Sequence, residues 1–146
     1  MKYIKTYEKM ILGAFTNNIE DAEPEVVKLF DYLKMLTMNI KEDETDGNYS
    51  GFLKIEINRD DKEWKTYSII LDAYYYFIYQ FDYKEDGMWI KYTCNEKTKE
   101  HIEKLEIFFD EIAKKKNEWG WCFDRETFMR EFDHIDMYIN ANKYNL

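Results

Sequence analysis

The sequence has little that would divide it into separate units. Only one of its 146 residues is proline and five are glycine, so no linker or low-complexity segment stands out. No apolar run approaches the roughly 18 residues that a membrane-spanning helix needs. Cys94 and Cys122 form no CxxC pair and are too few for a disulfide scaffold. We therefore expect a single domain over residues 1–146, with two free thiols.

The chain also lacks an excess of basic residues. Asp and Glu number 30 against 21 Lys and Arg, which gives a formal net charge of −9. A negative surface repels phosphates, so direct binding of nucleic acid or of a membrane surface is disfavoured. Glu8 and Lys9 interrupt the first apolar run, so no signal peptide is expected. The prediction is a cytoplasmic protein.

No motif for catalysis is present. GxSxG, P-loop, GxGxxG and HExxH patterns are all missing. His101 continues the apolar stripe of a predicted helix, and His134 has Arg130 rather than a carboxylate one turn before it. Cys122 lies beside Trp119 and Trp121 and is interpreted as a buried apolar residue. The sequence therefore predicts a non-enzymatic protein with no cofactor and no metal site.

The first part of the chain has helical periodicity. Residues 2–15 place apolar side chains on one face, and a second helix is expected to begin at Pro24, a favourable first-turn residue. Residues 41–51 have turn chemistry and contain four acids between Glu42 and Asp46. We predict an N-terminal helix pair followed by an acidic loop.

From Phe52 the apolar period changes to two, which is typical of strands. A polar turn at residues 59–62 and the Asp86-Gly87 turn each indicate a hairpin. The short connection at residues 71–73 leaves open the alternative that the second and third strands are one long bent strand. The four predicted strands occupy residues 52–59, 63–71, 73–83 and 88–94.

The third predicted strand, AYYYFIYQFDY, has seven aromatic residues in eleven positions. Its odd positions from Tyr75 to Phe81 supply an apolar face toward the core. Its even positions, Tyr74, Tyr76 and Ile78, form a second apolar face. That face either packs under the N-terminal helices or is exposed as a binding surface, because tyrosine is frequent in binding hot spots.

Two further helices are expected after the strands. Asn95 is a suitable N-cap, and apolar residues from Ile102 to Ile112 form a stripe. The basic run at residues 114–116 would complement the end of this helix, and Asp124 would cap a last helix after a break at Gly120. The predicted fold is α+β, a four-stranded antiparallel β-meander flanked by an N-terminal and a C-terminal helix pair (αα-ββββ-αα).

These features predict a small acidic protein that binds and inhibits a macromolecular partner with a basic surface, such as a nuclease. Immunity proteins against toxins and phage-encoded anti-defence inhibitors share this composition, and the analogy extends no further. One alternative is a small-molecule or nucleotide-binding protein with an aromatic-lined pocket, and another is a homodimer joined through the tyrosine face. The predicted partner-binding residues are Glu42, Asp43, Glu44, Asp46, Tyr74, Tyr76 and Trp89.

Overall fold

The computed structural model describes residues 21–43, 53–72 and 75–144. Within these ranges the chain combines helices with one antiparallel sheet, and the α+β class is therefore as predicted. The elements, in chain order, are α1 (Pro24–Asp43), β1 (Leu53–Asp60), β2 (Lys65–Leu71), β3 (Phe77–Lys84), β4 (Gly87–Cys94), α2 (Glu96–Ile102), α3 (Lys104–Ile112), β5 (Lys115–Asn117), β6 (Gly120–Phe123), α4 (Arg125–Phe132) and α5 (Ile135–Tyr144).

The predicted meander forms the larger part of the sheet. Strands β1 to β4 pair in chain order, each antiparallel to the next. Leu71 at the end of β2 pairs directly with Phe77 at the start of β3, which excludes one long bent strand. The aromatic stretch is therefore only partly strand, because β3 begins at Phe77.

The prediction of four strands is wrong, because the described sheet has six, in the order β1-β2-β3-β4-β6-β5. Strand β6 pairs with β4, and the three-residue β5 pairs with β6 at the edge. The basic run at residues 114–116 thus enters an edge strand instead of ending a helix. Its lysines suit that position, because charged side chains discourage further strand pairing. Strands of three and four residues are too short to show a period.

The predicted arrangement of helices in two flanking pairs is also wrong. Helix α1 begins at Pro24 as predicted, whereas the helix predicted over residues 2–15 lies outside the described residues. The described chain has four helices after the meander, because breaks at Glu103 and near His134 divide each predicted helix. At each break backbone N–H groups bond to carbonyls three residues earlier, as at Glu106 N to Glu103 O (3.0 Å). Because such breaks are one or two residues long, they leave the helical spacing of the apolar side chains almost unchanged.

The two faces of the sheet differ along β3. Phe77, Tyr79 and Phe81 are fully buried, and the ring of Tyr79 packs edge-to-face on Phe109 of α3. On the opposite side Gln80 and Lys84 are exposed. We call this opposite side, with the exposed Gln80, Lys84 and Lys91, the open face.

Helix α2 shows how local chemistry fixes an element. Asn95 is its N-cap, and the Asn95 side chain accepts hydrogen bonds from Thr98 N (3.1 Å) and Thr98 Oγ1 (2.7 Å). We expect Asn95→Ala to lower the free energy of unfolding by about 1 kcal/mol, as is typical of a lost N-cap. Urea denaturation measures this loss. Asn95→Asp keeps an acceptor at the cap and should stay close to the wild type, so an equal loss in both variants would contradict the capping role.

Candidate functional site

Two tryptophans and a lysine meet on the open face. Trp64 directly precedes β2, and the sheet register places it across from Lys84 at the end of β3. The Lys84 Nζ atom lies 5.1 Å from the centroid of the Trp64 ring and 5.8 Å from that of Trp119, in the turn between β5 and β6. We call Trp64, Lys84 and Trp119 the tryptophan–lysine patch.

Trp119 is a highly accessible part of this patch. Its side chain is 61% exposed, although tryptophan carries a large apolar surface. The short turn holds it in place, because the Trp119 backbone N–H donates to Asn117 Oδ1 (2.8 Å). Gly120, at φ +109°, then allows β6 to pass close to β4. The exposed indole is thus presented by a fixed backbone.

The turn between β1 and β2 fixes Trp64. The Asp61 carboxylate accepts hydrogen bonds from Arg59 Nε (2.6 Å) and from the backbone N–H groups of Trp64 (2.8 Å) and Glu63 (3.0 Å). These bonds, the one from Arg59 foremost, lower the pKa of the Asp61 carboxyl, so the charged form that holds the turn is favoured. The Arg59 Cζ atom lies 5.0 Å from the Trp64 ring centroid.

A half-buried acid lies on the same side of β3 as Lys84. Burial raises the pKa of the Asp82 carboxyl, whereas the positive charges of Lys84 and Lys91 favour its charged form. Partial desolvation of a carboxylate makes a nearby positive charge more favourable. The patch therefore places exposed aromatic surface beside a half-buried carboxylate.

An open groove of about 1100 Å³ adjoins the patch at one end of the sheet. The β1–β2 turn, the β3–β4 turn and the start of α4 form its walls, with Trp64 and Tyr83 among the lining residues. Six cationic and six acidic side chains line it, so its formal charge is zero in a protein whose net charge is −9. The groove has no single sign of charge that would select a simple ion.

A network of charged groups supports the groove from below. Arg125 donates from Nε to Glu25 Oε1 (2.9 Å) and from Nη2 to Glu25 Oε2 (3.1 Å) and Glu23 Oε2 (2.6 Å). The Tyr83 hydroxyl donates to Glu25 Oε2 (2.9 Å), and Lys65 Nζ donates to Glu23 Oε1 (3.1 Å). Glu25 is only 3% exposed. The network joins α1, β2, β3 and α4, and every acid in it has a cationic partner.

The described residues offer no cluster for metal binding. No group of three His, Cys, Asp or Glu side chains among them is placed to hold a metal ion. Burial raises the pKa of the Cys122 thiol, which opposes a nucleophilic role. The His101 ring packs edge-to-face on Tyr75 at 5.8 Å, as a structural residue does.

The structure describes only some of the predicted partner-binding residues. Glu44, Asp46 and Tyr74 lie outside the described residues, whereas Glu42 and Asp43 belong to the end of α1 rather than to a loop. Tyr76 is half-buried just before β3, and its carbonyl accepts from Asn95 N (3.1 Å).

The remaining predicted residue, Trp89, is largely covered. Trp89 is 5% exposed, and its indole N–H donates to Asp86 Oδ1 (2.9 Å). The Lys115 Nζ atom lies 5.3 Å from the Trp89 ring centroid. Trp89 thus has little free surface for a partner.

Sequence reasoning missed the tryptophan–lysine patch. Its members come from three separate segments, and Trp119 is brought near Lys84 by the unpredicted β5–β6 hairpin. The one available signal was the position of Trp64 within the second predicted strand, out of phase with the core-facing Tyr67 and Ile69.

No protein-family model, curated protein or solved structure matches this chain. Among the described helices, none is long and apolar enough to cross a membrane.

Proposed function

We propose that this is a non-enzymatic protein that binds a protein partner through the tryptophan–lysine patch and thereby inhibits it. The observation that carries the proposal is Trp119, 61% exposed at the tip of a hairpin whose backbone is fixed. Tryptophan is among the residues most enriched in binding hot spots, because one side chain contributes a large area at a small entropic cost.

The net charge of −9 supports a partner with a basic surface. Complementary charge speeds diffusional encounter, and aromatic contacts then slow dissociation. Nucleic-acid enzymes have basic substrate channels, and an acidic protein bound there would block the substrate. We therefore propose that the partner is a nuclease-like enzyme and that the two proteins meet in the cytoplasm.

The alternative function, binding of a nucleotide or another small molecule, would use the groove. Trp64 and Tyr83 provide aromatic surface there, and Arg59 and Lys84 provide positive charge. The equal number of acids in the groove opposes binding of a phosphate. We therefore place this function second.

Site-specific photo-cross-linking tests the proposed function. A photoreactive residue at position 119 should cross-link one protein partner in the cells that naturally contain this protein. When the cross-linking is repeated in lysate, the yield of the cross-linked complex should fall as the salt concentration rises from about 50 to about 500 mM. The matched control is position 137 on α5, because Met137 is 68% exposed and lies away from the patch. The same adducts from both positions, or none from position 119, would contradict the proposal.

A substitution complements the cross-linking. Trp119→Ala removes exposed surface, so its effect on the free energy of unfolding should stay within about 0.5 kcal/mol. Its affinity for the trapped partner should fall at least about 30-fold, as expected for a hot-spot residue worth 2 kcal/mol or more. Met137→Ala should leave the affinity unchanged. Calorimetry or surface plasmon resonance with the purified partner measures both.

A further inference from the structure

The tryptophan–lysine patch has the composition of a cation-binding site. Proteins bind organic cations by placing aromatic faces within about 6 Å of the charge. The ammonium group of Lys84 satisfies this criterion toward two indoles, with distances of 5.1 Å to Trp64 and 5.8 Å to Trp119. An internal side chain thus occupies a position that suits an external cation.

We propose that the two indoles bind an arginine side chain of the partner, which replaces Lys84 between Trp64 and Trp119. This inference rests on the proposed function and names the chemistry of the contact. Lys84 is exposed, so its flexible side chain can move into solvent at little cost. Lys84 is then an internal competitor for the surface of the two rings.

Two observations favour a guanidinium in this position. The Arg59 guanidinium already packs on Trp64, with Cζ 5.0 Å from the ring centroid, so this indole surface accepts the group that we propose. Asp82 lies on the same side of β3 as Lys84, and its partly buried carboxylate would pair with an incoming positive charge. Arginine suits this combination better than lysine, because its planar group stacks on rings and pairs with carboxylates.

Charge also argues against a nucleic-acid strand as the ligand. Bases stack on exposed tryptophans in single-strand binding proteins, but those proteins combine the stacking with a positive groove. The adjoining groove has equal numbers of acidic and cationic side chains, and the net charge of the chain is −9. The test therefore includes a nucleic-acid probe, oligo(dT).

The test uses the full chain and a small probe, N-acetyl-arginine methylamide, with the neutral citrulline isostere as its control. Two-dimensional NMR resolves the indole N–H signals of the four tryptophans. We expect the arginine probe to shift the Trp64 and Trp119 signals saturably and to leave those of the buried Trp89 and Trp121 in place. The citrulline probe should shift none of them.

Two lysine variants separate competition by Lys84 within the tryptophan–lysine patch from general electrostatic effects. Lys84→Ala should tighten probe binding about fourfold, because it removes a like charge at about 5 Å in an aqueous setting. Lys91→Ala removes a charge from the same open face, but the described tryptophan rings have no cation–π contact with Lys91, so its effect should be smaller. Trp119→Ala should abolish saturable shifts at Trp64, and thermal melting checks that each variant is folded.

Several results would overturn the inference. Equal shifts from the arginine and citrulline probes would exclude recognition of charge. Weaker binding by Lys84→Ala would mean that Lys84 contacts the ligand instead of competing with it. Shifts of Trp64 and Trp119 caused by oligo(dT), and lost in Lys84→Ala, would assign the patch to nucleic acid. Because the probe needs no partner, failure here with successful cross-linking at position 119 would remove this inference and leave the proposed function standing.

Discussion

Gly120→Ala should destabilise the protein by about 4 kcal/mol, because two unfavourable effects add at this position. Gly120 has φ +109°, and a non-glycine residue in that region costs on the order of 1–3 kcal/mol. A Cβ atom there would also lie 2.2 Å from the Ile90 carbonyl oxygen, a backbone atom that cannot move without disturbing the pairing of β4 with β6.

Thermal unfolding and urea denaturation measure the effect. For a chain of this length a loss of 4 kcal/mol corresponds to a fall in Tm of roughly 8–16 °C. Glu118→Ala is the matched control, since Glu118 is an exposed residue of the same turn and should change the Tm little. A Gly120→Ala variant within 1 kcal/mol of the wild type would mean that the β5–β6 hairpin does not lie against β4 as described.

The hairpin also links this prediction to function. Gly120 follows Trp119, so displacement of β6 would move the indole away from Lys84. Partner binding should therefore decline in Gly120→Ala together with stability. In contrast, Trp119→Ala should lose binding while remaining stable, and this difference separates the role of the turn from that of the indole.

Arg125→Ala should cost about 3 kcal/mol, because it leaves the carboxylate of Glu25 buried without a cationic partner. Glu25 is 3% exposed, and Arg125 is the cation that pairs with it through both of its carboxylate oxygens. The Tyr83 hydroxyl would remain as a donor to Glu25. A single neutral hydrogen bond compensates only part of the desolvation of a charge.

A second arginine variant and a double variant serve as controls for this prediction. Arg130 is on the same helix, and its side chain is 65% exposed and paired with Glu131 at 3.4 Å. Arg130→Ala should therefore cost at most about 0.5 kcal/mol. The double variant Arg125→Ala, Glu25→Gln should be more stable than Arg125→Ala alone, because it removes the buried charge. If the two arginine variants were equally stable, the network would have no structural role.

Lowering the pH should narrow the difference in the free energy of unfolding between the wild type and Arg125→Ala. Burial raises the pKa of the Glu23 carboxyl, but hydrogen bonds from Lys65 and Arg125 outweigh this effect and lower it below its ordinary value of 4.5. A lowered pKa in the folded state stabilises the protein above pH 4.5, and this contribution is lost as the pH falls through the folded-state pKa. Arg125→Ala lacks part of that contribution. Urea denaturation at about pH 7 and about pH 3 measures the change.

Local chemistry made several elements predictable. Pro24 at the start of α1 and the caps at Asn95 and Asp124 act on backbone groups within a few residues, so the sequence alone places them. The alternation in β3 predicted that Phe77, Tyr79 and Phe81 face the core. The Asp86-Gly87 turn likewise predicted the hairpin of β3 and β4.

The sequence by itself thus determined where α1 begins, the four-strand meander and the apolar side of β3, because each depends on neighbours within one strand or turn. The two extra strands, the helix breaks, the Glu25–Arg125 pair and the tryptophan–lysine patch became visible only in the tertiary structure. Strand β6 is stabilised by β4, about 30 residues away in sequence, and Glu25 is paired with Arg125 across 100 residues. Trp64, Lys84 and Trp119 have no common period, because their contact depends on the strand register and on the close approach that Gly120 allows.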